Sequence, residues 1–388
     1  MSERGDDHPD NHPMKNTHSP NPNPKRRLCA LLISLSQCLS GTLSPAKAAD
    51  APAWVNISEE LTKKLDAMEY MGKNGKPWNW MRRSQGLALD PRDGRVFLYF
   101  TAHDPGMFVS KDHGATWEKA GDNAITGRAE MTGSFSQPWP ADGRMAVFTI
   151  DGVGGLTLDG GAHWSRVEKH RRAFDFGDVD WSSPQPKLIF AANHEPFGRC
   201  VSTDAGATWT QLDNYTGNNE ANKKGRGFRL GVFDSQTLLS AHLDEDGIFT
   251  STDLGKTWTK VANYRVIAHH PVHYGKRLYW ATTEGIITTD NGRDWKLHGT
   301  PLKDASAGPY FGKTESDMMV VTPDGYFITH DAAKSWQKVT DYFVAPDMAG
   351  GASGYHINGS WRHFAWDPVN NLLYTSGNSG GAYRLKLN

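Results

Sequence analysis

The sequence predicts an all-β fold, a single β-propeller of seven four-stranded units closed into a ring by the N-terminal strand. Three observations lead there. An eight-residue pattern recurs six times. Its period of roughly 40 to 50 residues is that of a four-stranded blade. The last unit lacks one strand, which the N-terminus can supply.

The first copy reads Ser110-Lys-Asp112-His-Gly114-Ala-Thr-Trp117. The pattern returns around Asp159, Asp204, Asp253 and Asp290, and in altered form around Asp331, where Ala333 replaces the glycine. The closing tryptophans, Trp117, Trp164, Trp209, Trp258, Trp295 and Trp336, lie 47, 45, 49, 37 and 41 residues apart. An Asp after a strand can accept the backbone N–H groups that follow it and so fix a tight turn. The glycine two places on tolerates positive φ. The tryptophan buries a large surface and keeps an indole N–H for a partner. Six copies in register resemble the Asp-box, or BNR, repeat of sialidases, sortilin-type receptors and the photosystem II assembly factors. The resemblance covers roughly residues 80–388. It implies a propeller with structural Asp-box turns at Asp112, Asp159, Asp204, Asp253, Asp290 and Asp331, and names no reaction.

Each unit has the same order, seen in the first. Gly86-Leu-Ala-Leu-Asp90 forms strand A, Pro91-Arg-Asp-Gly94 a turn, and residues 95–101 strand B. A third strand then ends in the Asp box, and the tryptophan opens the fourth. Innermost strands are expected to start near Gly86, Ser134, Gly177, Gly231, Ile267, Gly308 and Phe364. The seventh unit has three strands and no box. Trp54-Val-Asn-Ile57 matches the strand openings after Trp164, Trp258 and Trp336, so residues 53–57 are expected to close the ring and remove an exposed edge. Residues 58–72 read as a short helix, with Ser58 as N-cap and Leu61, Leu65 and Met68 as its apolar stripe.

Residues 1–48 read as a polar extension followed by a secretory signal peptide, with Met14 as an alternative start. Lys25-Arg26-Arg27 precede the apolar run Leu28 to Leu35, and Ala46-Lys-Ala48 fits the small-x-small cleavage rule. An exported, soluble propeller over residues 49–388 is expected, with cleavage near Ala48 and Ala49. Of three cysteines only Cys200 follows that point, so no internal disulfide is expected. A formal net charge of −1 gives no bulk attraction to nucleic acid. No second apolar stretch reaches membrane-spanning length. No cofactor or metal motif is assigned, and a monomer is expected.

A–B and C–D turns share one rim of such a ring, and B–C and D–A connections share the other. The long segments, residues 119–133, 214–226 and 341–361, are D–A connections. Long loops on a rigid scaffold are where function usually sits, which places the site on the B–C/D–A rim over the central channel. Arginine recurs there before strand A: Arg83, Arg128, Arg172, Arg226 (or Arg229), Arg265 and Arg362. Such a ring suits carboxylate or sulfate; singly, each is an ordinary solvated loop cation. His103, His194 and His242 recur at the end of strand B, either as turn caps or as general bases and ligand donors. Neighbouring acids such as Asp104, Asp151, Glu195 and Asp246 read mainly as turn chemistry. Trp78, Trp80 and Trp139 suit either sugar stacking or core packing.

Two functions follow. One is an exported protein that binds, and as an enzyme would process, an acidic glycan. The resemblance brings in sialidases, but their Arg-Ile-Pro signature is absent and Trp80-Met-Arg-Arg-Ser84 does not replace it. A lyase-like site would use His194 or His242 with Tyr355, and arginine against a uronate carboxylate. The other is a non-catalytic protein-binding scaffold, as the resemblance to the assembly factors implies. A pocket holding two of His103, His194, His242 and Tyr355 would favour catalysis.

Overall fold

The computed structural model describes residues 53–66, 84–100, 106–122, 125–194, 197–213, 227–343, 362–377 and 381–387. The described strands build seven sheets, six of four antiparallel strands and one of five, and the described residues are all-β apart from the helix Glu59–Asp66. From first to seventh, the innermost strands are Ser84–Asp90, Phe135–Ser136, Phe174–Val179, Phe228–Asp234, Val272–Tyr274, Ala307–Phe311 and Arg362–Asp367. They contain runs such as Phe-Asp-Phe-Gly-Asp-Val, buried at every position, because both faces pack against neighbouring sheets.

The apolar clusters between sheets close a circle. Phe97 and Tyr99 of the first sheet pack with Met145 and Trp164 of the second. Phe148 meets Phe174 and Ile189 of the third, and Phe190 meets Leu230 and Leu238 of the fourth. Leu239 and Ile248 join Tyr279 and Trp280 of the fifth and Met318 of the sixth. Met319 and Tyr326 join Phe364 and Leu373 of the seventh. Tyr374 of the seventh returns to Leu87, Val96 and Leu98 of the first. A closed ring of radially packed four-stranded sheets is a β-propeller.

The N-terminal strand completes the seventh sheet. Val55 and Asn56 pair antiparallel with Arg384 and Tyr383, and Ile57 N donates to Ala382 O at 2.8 Å. The Trp54 ring stacks on Phe343 at 4.6 Å. The helix begins at Glu59, directly after Ser58, whose carbonyl accepts Thr62 N at 2.8 Å. Ser58 Oγ accepts Ala382 N at 2.9 Å and donates to Asn56 Oδ1 at 3.1 Å. Sheet closure thus uses the hydroxyl expected to cap the helix. Leu61 is buried beneath it, while Met68 lies outside the described residues.

Five of the six repeated turns share one hydrogen-bond pattern. In the first, Asp112 Oδ1 accepts Ser110 Oγ at 2.7 Å and Thr116 N at 2.8 Å, and Gly114 N donates to Ser110 Oγ at 2.7 Å. The pattern repeats at Asp159, Asp204, Asp253 and Asp331. Three tryptophans tie their turns to the preceding sheet: Trp209 Nε1 donates to Glu168 O, Trp336 to Thr300 O, and Trp117 to Ile57 O, whereas Trp164 and Trp258 donate to Gly161 O and Gly255 O of their own turns. The bond from Trp117 places the N-terminal strand where the repeat requires an outer strand.

The fifth turn departs from expectation. Asp290 is not its acceptor; it pairs with Arg277 at 2.6 Å. Asn291 Oδ1 accepts Arg293 N at 2.9 Å and Asp294 N at 2.8 Å, and Asn291 Nδ2 donates to Asp294 Oδ2 at 2.7 Å. Thr116, His163, Thr208, Thr257 and Ser335 each offer a donor to the turn aspartate. Asp294 occupies the equivalent place and, ionised, can only accept. An asparagine amide resolves that conflict. The shift leaves Trp295 Nε1 buried without a partner.

The fifth innermost strand also starts later than expected, at Val272 rather than Ile267. Pro271 lacks the N–H a ladder needs. Its sheet gains a fifth strand instead: Pro138–Trp139 pairs in parallel with His273 and Tyr274. Residues 135 and 136 belong to the second sheet, so the chain crosses the ring between non-adjacent sheets. Ser136 Oγ donates to the fully buried Asp178 at 2.7 Å, which also receives Val232 N and pairs with His273 Nε2, both at 2.9 Å. His270 Nε2 lies 2.8 Å from Phe135 O. The strand Pro138–Trp139 therefore lies inward of the fifth sheet's Val272–Tyr274, across the centre of the ring. No described helix is long and apolar enough to cross a membrane.

Candidate functional site

On the B–C/D–A rim, the second and third sheets bring together three of the expected residues, Arg128, Arg172 and His194. The backbone does the positioning. Ile150 bridges Arg128 on one side and Ala173 on the other. Asp151 follows with positive φ of 58° and donates its N–H to Arg172 O at 2.9 Å. Its carboxylate then faces two guanidinium groups, at 3.0 Å from Arg128 Nη2 and 3.0 Å from Arg172 Nε. Burial opposes ionisation of Asp151, but its bonds to Arg172 and Arg128 outweigh that and hold the carboxyl below its usual range.

Beneath this trio lies a second layer. Arg128 Nη1 donates to Glu130 Oε1 at 2.9 Å. Glu130 is buried, and burial pushes its carboxyl above the usual range in spite of Arg128. Glu130 also feels Asp175 and His194, and His194 Nδ1 sits 2.7 Å from Asp175 Oδ1. A carboxylate-oriented imidazole beside a carboxyl of raised pKa is an acid–base pair in embryo. Sequence reasoning did not single out Glu130 or Asp175. Their signal is local, since Glu130 is two residues beyond Arg128 and Asp175 is in the strand that starts beside Arg172.

The remaining candidates are placed differently. Arg265 Nε pairs with Asp246 at 2.9 Å on the exposed rim. Arg362 is a correction: it is 5% exposed, donates to Phe343 O at 2.7 Å and lies over the Tyr342 ring at 5.3 Å. Its described contacts are thus with the seventh sheet's neighbours rather than with the rim. Arg229, the alternative to Arg226, is likewise buried and donates to Ile267 O at 2.6 Å. His242 lies in the fourth sheet, its Nδ1 accepting Asp244 N at 3.2 Å as a turn cap would. Trp139 is a packed aromatic of the crossing strand. Cys200 is buried with a free thiol whose Sγ lies 3.2 Å from Asn193 Oδ1. Arg83, Arg226, His103, Tyr355, Trp78, Trp80 and the leader over residues 1–48 lie outside the described residues. Among the described residues, no cluster of three His, Cys, Asp or Glu side chains has metal-binding geometry.

The cavity lies elsewhere. A recess of about 70 Å³ is lined by Leu87, Leu89, Phe135, Trp139, His270, Tyr310, His363 and Trp366, among others. Neither His194 nor His242 lines it. Leu89, Tyr310 and Trp366 all belong to the ends of innermost strands that lead into A–B turns. Phe135 and His363, near the starts of such strands, line it as well, so the recess lies among the innermost strands and is bounded from both of their ends.

No family model matches the chain, and no curated protein matches it. Solved structures that resemble it include a GH74 enzyme from Niastella koreensis, 16% identical over 79% of this chain and 53% of that one, with a TM-score of 0.47. Another is YCF48 from Cyanidioschyzon merolae, 14% identical over 80% of this chain and 97% of that one, with a TM-score of 0.41. A third is a chain of a mitotic checkpoint complex, 9% identical over 93% of this chain and 98% of that one, with a TM-score of 0.46. This chain spans about half the length of the GH74 enzyme. At such low identities and TM-scores, no argument about its activity rests on these likenesses.

Proposed function

We propose that the chain is a seven-bladed Asp-box propeller that works outside the cytoplasm as a non-catalytic scaffold, holding a protein partner on its B–C/D–A rim. One observation carries this reading: the described rim arginines Arg128, Arg172 and Arg265 are already paired with acids of the same chain. Asp151 serves Arg128 and Arg172, and Asp246 serves Arg265. A ring of bare guanidinium groups would favour a polyanion. Alternating, pre-oriented charges of both signs suit a folded protein or peptide surface with its own mixed charges, where complementarity sets specificity and on-rate. A second reading is supported by the buried Glu130 beside the Asp175–His194 pair. In that reading the same rim accepts a carboxylated or sulfated glycan and processes it, with Glu130 as acid and His194 as base.

The test is a binding screen of mixed-sequence peptide arrays and of acidic and neutral glycan arrays, at two salt concentrations. The scaffold reading expects salt-sensitive peptide capture that falls about tenfold in an Arg172→Ala, Arg265→Ala double variant, consistent with lost charged hydrogen bonds. Capture of acidic glycans alone, with cleavage that disappears in Glu130→Gln, would replace it by the second reading.

A further inference from the structure

His270 makes two contacts that a neutral imidazole cannot satisfy. Its Nδ1 lies 2.8 Å from Pro271 O, and its Nε2 lies 2.8 Å from Phe135 O. Both partners are carbonyl oxygens, which only accept. A neutral ring donates from one nitrogen and carries a lone pair on the other. In either tautomer, one lone pair would stand against a carbonyl oxygen at hydrogen-bond distance. The imidazolium donates from both nitrogens and removes that conflict.

The two bonds join segments that are far apart in sequence. Phe135 belongs to the innermost strand of the second sheet, and Pro271 directly precedes the innermost strand of the fifth. Just beyond them Pro138–Trp139 pairs in parallel with His273 and Tyr274, and Gly275 N donates to Trp139 O at 2.7 Å. His270 thus fastens the crossing strand where it enters the centre of the ring.

The charged groups around it suit a cation. Asp178 is fully buried, and its Oδ2 lies 2.9 Å from His273 Nε2. Burial opposes ionisation of Asp178, but His273 and then His270 outweigh it and hold the carboxyl below its usual range. His269, next in the chain, is buried, and burial first, then Arg229, His270 and His363, pushes it well below its ordinary value. Arg229 is buried and donates to Ile267 O at 2.6 Å and Phe228 O at 2.8 Å. His270 also lines the axial recess, whose described lining has no Asp, Glu, Lys or Arg. There burial pushes His363 down to about 3 and Tyr310 up, so both are neutral. Asp178 is the carboxylate that answers His270.

We propose that His270 is a pH-sensitive latch, an imidazolium that ties the Phe135 carbonyl of the second sheet to the entry of the fifth and lets go when it loses one ring proton. The latch is complete while the ring holds both protons, and it weakens as pH rises.

The test follows the His270 ring-nitrogen resonances and amide exchange at Gly275 in the full chain, from about pH 5 to about pH 9, on either side of the ordinary histidine value of about 6.5. Both ring nitrogens should carry hydrogens at about pH 7.5, where an ordinary histidine is mostly neutral. Protection of Gly275, corrected for the intrinsic rise of exchange with pH, should drop about tenfold or more as the ring proton is lost, the worth of one charged hydrogen bond. Ala382, whose amide donates to Ser58 Oγ at the closing strand, should keep its protection and serves as the control. His270→Gln has donors at one end of its side chain only, and should show the lowered Gly275 protection at every pH. Should that variant fail to fold, the resonances and exchange of the parent decide alone. The proposal is overturned if one ring nitrogen is bare at about pH 7.5, or if Gly275 keeps its protection after the ring proton is lost. Neither result bears on the rim, whose test uses other residues and added ligands.

Discussion

Replacing Ile57 by alanine should loosen the ring at its closure and nowhere else. Ile57 is 8% exposed and packs with Leu61, Leu87, Val96 and Tyr374, which joins the seventh sheet to the first. Its Cβ and Cδ1 lie 2.7 Å from where a Cβ on Gly114 would stand, so the side chain fills the space over the first repeated turn. Removing three buried carbons costs about 2–5 kcal/mol in a rigid core. The backbone bonds from Ile57 N to Ala382 O and from Trp117 Nε1 to Ile57 O survive the substitution, so the strand can partly collapse inward. That points to the lower half of the range, about 2–3 kcal/mol. For a domain of this size the melting temperature should fall by roughly 3–8 °C. Val55→Ala is the control, because Val55 is 51% exposed and its truncation should stay within about 0.5 kcal/mol. Thermal melts give the magnitude, and amide exchange at Ala382 and Arg384 gives the location, since both lie against the closing strand. If Ile57→Ala melts within about 1 °C of the parent and leaves that exchange unchanged, the closing strand contributes nothing to the ring.

Asn291→Ala should cost about 0.5–1.5 kcal/mol by freeing the Arg293 and Asp294 N–H groups, whereas Asp290→Ala should be near neutral because its partner Arg277 is on the surface; equal losses in urea denaturation would restore Asp290 as the turn acceptor. Ala333→Gly should stabilise by about 0.5–1 kcal/mol, since Ala333 sits at a φ of 62° that glycine adopts without strain; a lower melting temperature would refute the strain. The Asp112, Asp204 and Asp253 carboxyls, held down to about 2 by threonine hydroxyls and then backbone N–H groups, lie below their unfolded value. Their stabilisation is therefore present above about pH 4 and lost as pH falls toward 2, and carboxyl NMR titration with midpoints near 4 would contradict it.

What could be read from the sequence was whatever repeats locally. Asp112, Gly114 and Trp117 lie within one turn, so their spacing alone reports the hydrogen bonds they make, and six copies report a ring. The Asp290 exception was legible on the same terms, through Asp294 at a position that elsewhere supplies a donor. The rim was half legible. The arginines were visible as a periodic feature, but their neutralisation was not, because Asp151 reaches Arg128 across a backbone bridge at Ile150 and looks in sequence like a turn residue. Arg362 illustrates the cost of that limit: the same periodic place holds a guanidinium turned inward onto Tyr342 and Phe343.

The axis was not legible, and the reason is physical. Phe135-Ser-Gln-Pro-Trp139 reads as an ordinary innermost strand, and its first half is one. Its second half pairs with His273 and Tyr274, a partner chosen by three-dimensional closure and left unmarked by any local pattern. Once the strand crosses, its consequences follow in order. Ser136 must meet a buried acceptor, which Asp178 supplies with His273 as counterpart. Phe135 and Trp139, each paired in its sheet, then also wall a recess. His363, an alternating strand residue in sequence, is left buried beside that recess with its Nε2 unpartnered among the described residues. The rim and the axis thus differ in chemistry: paired charges at Asp151 and Asp246 on one, and on the other a described lining without Asp, Glu, Lys or Arg.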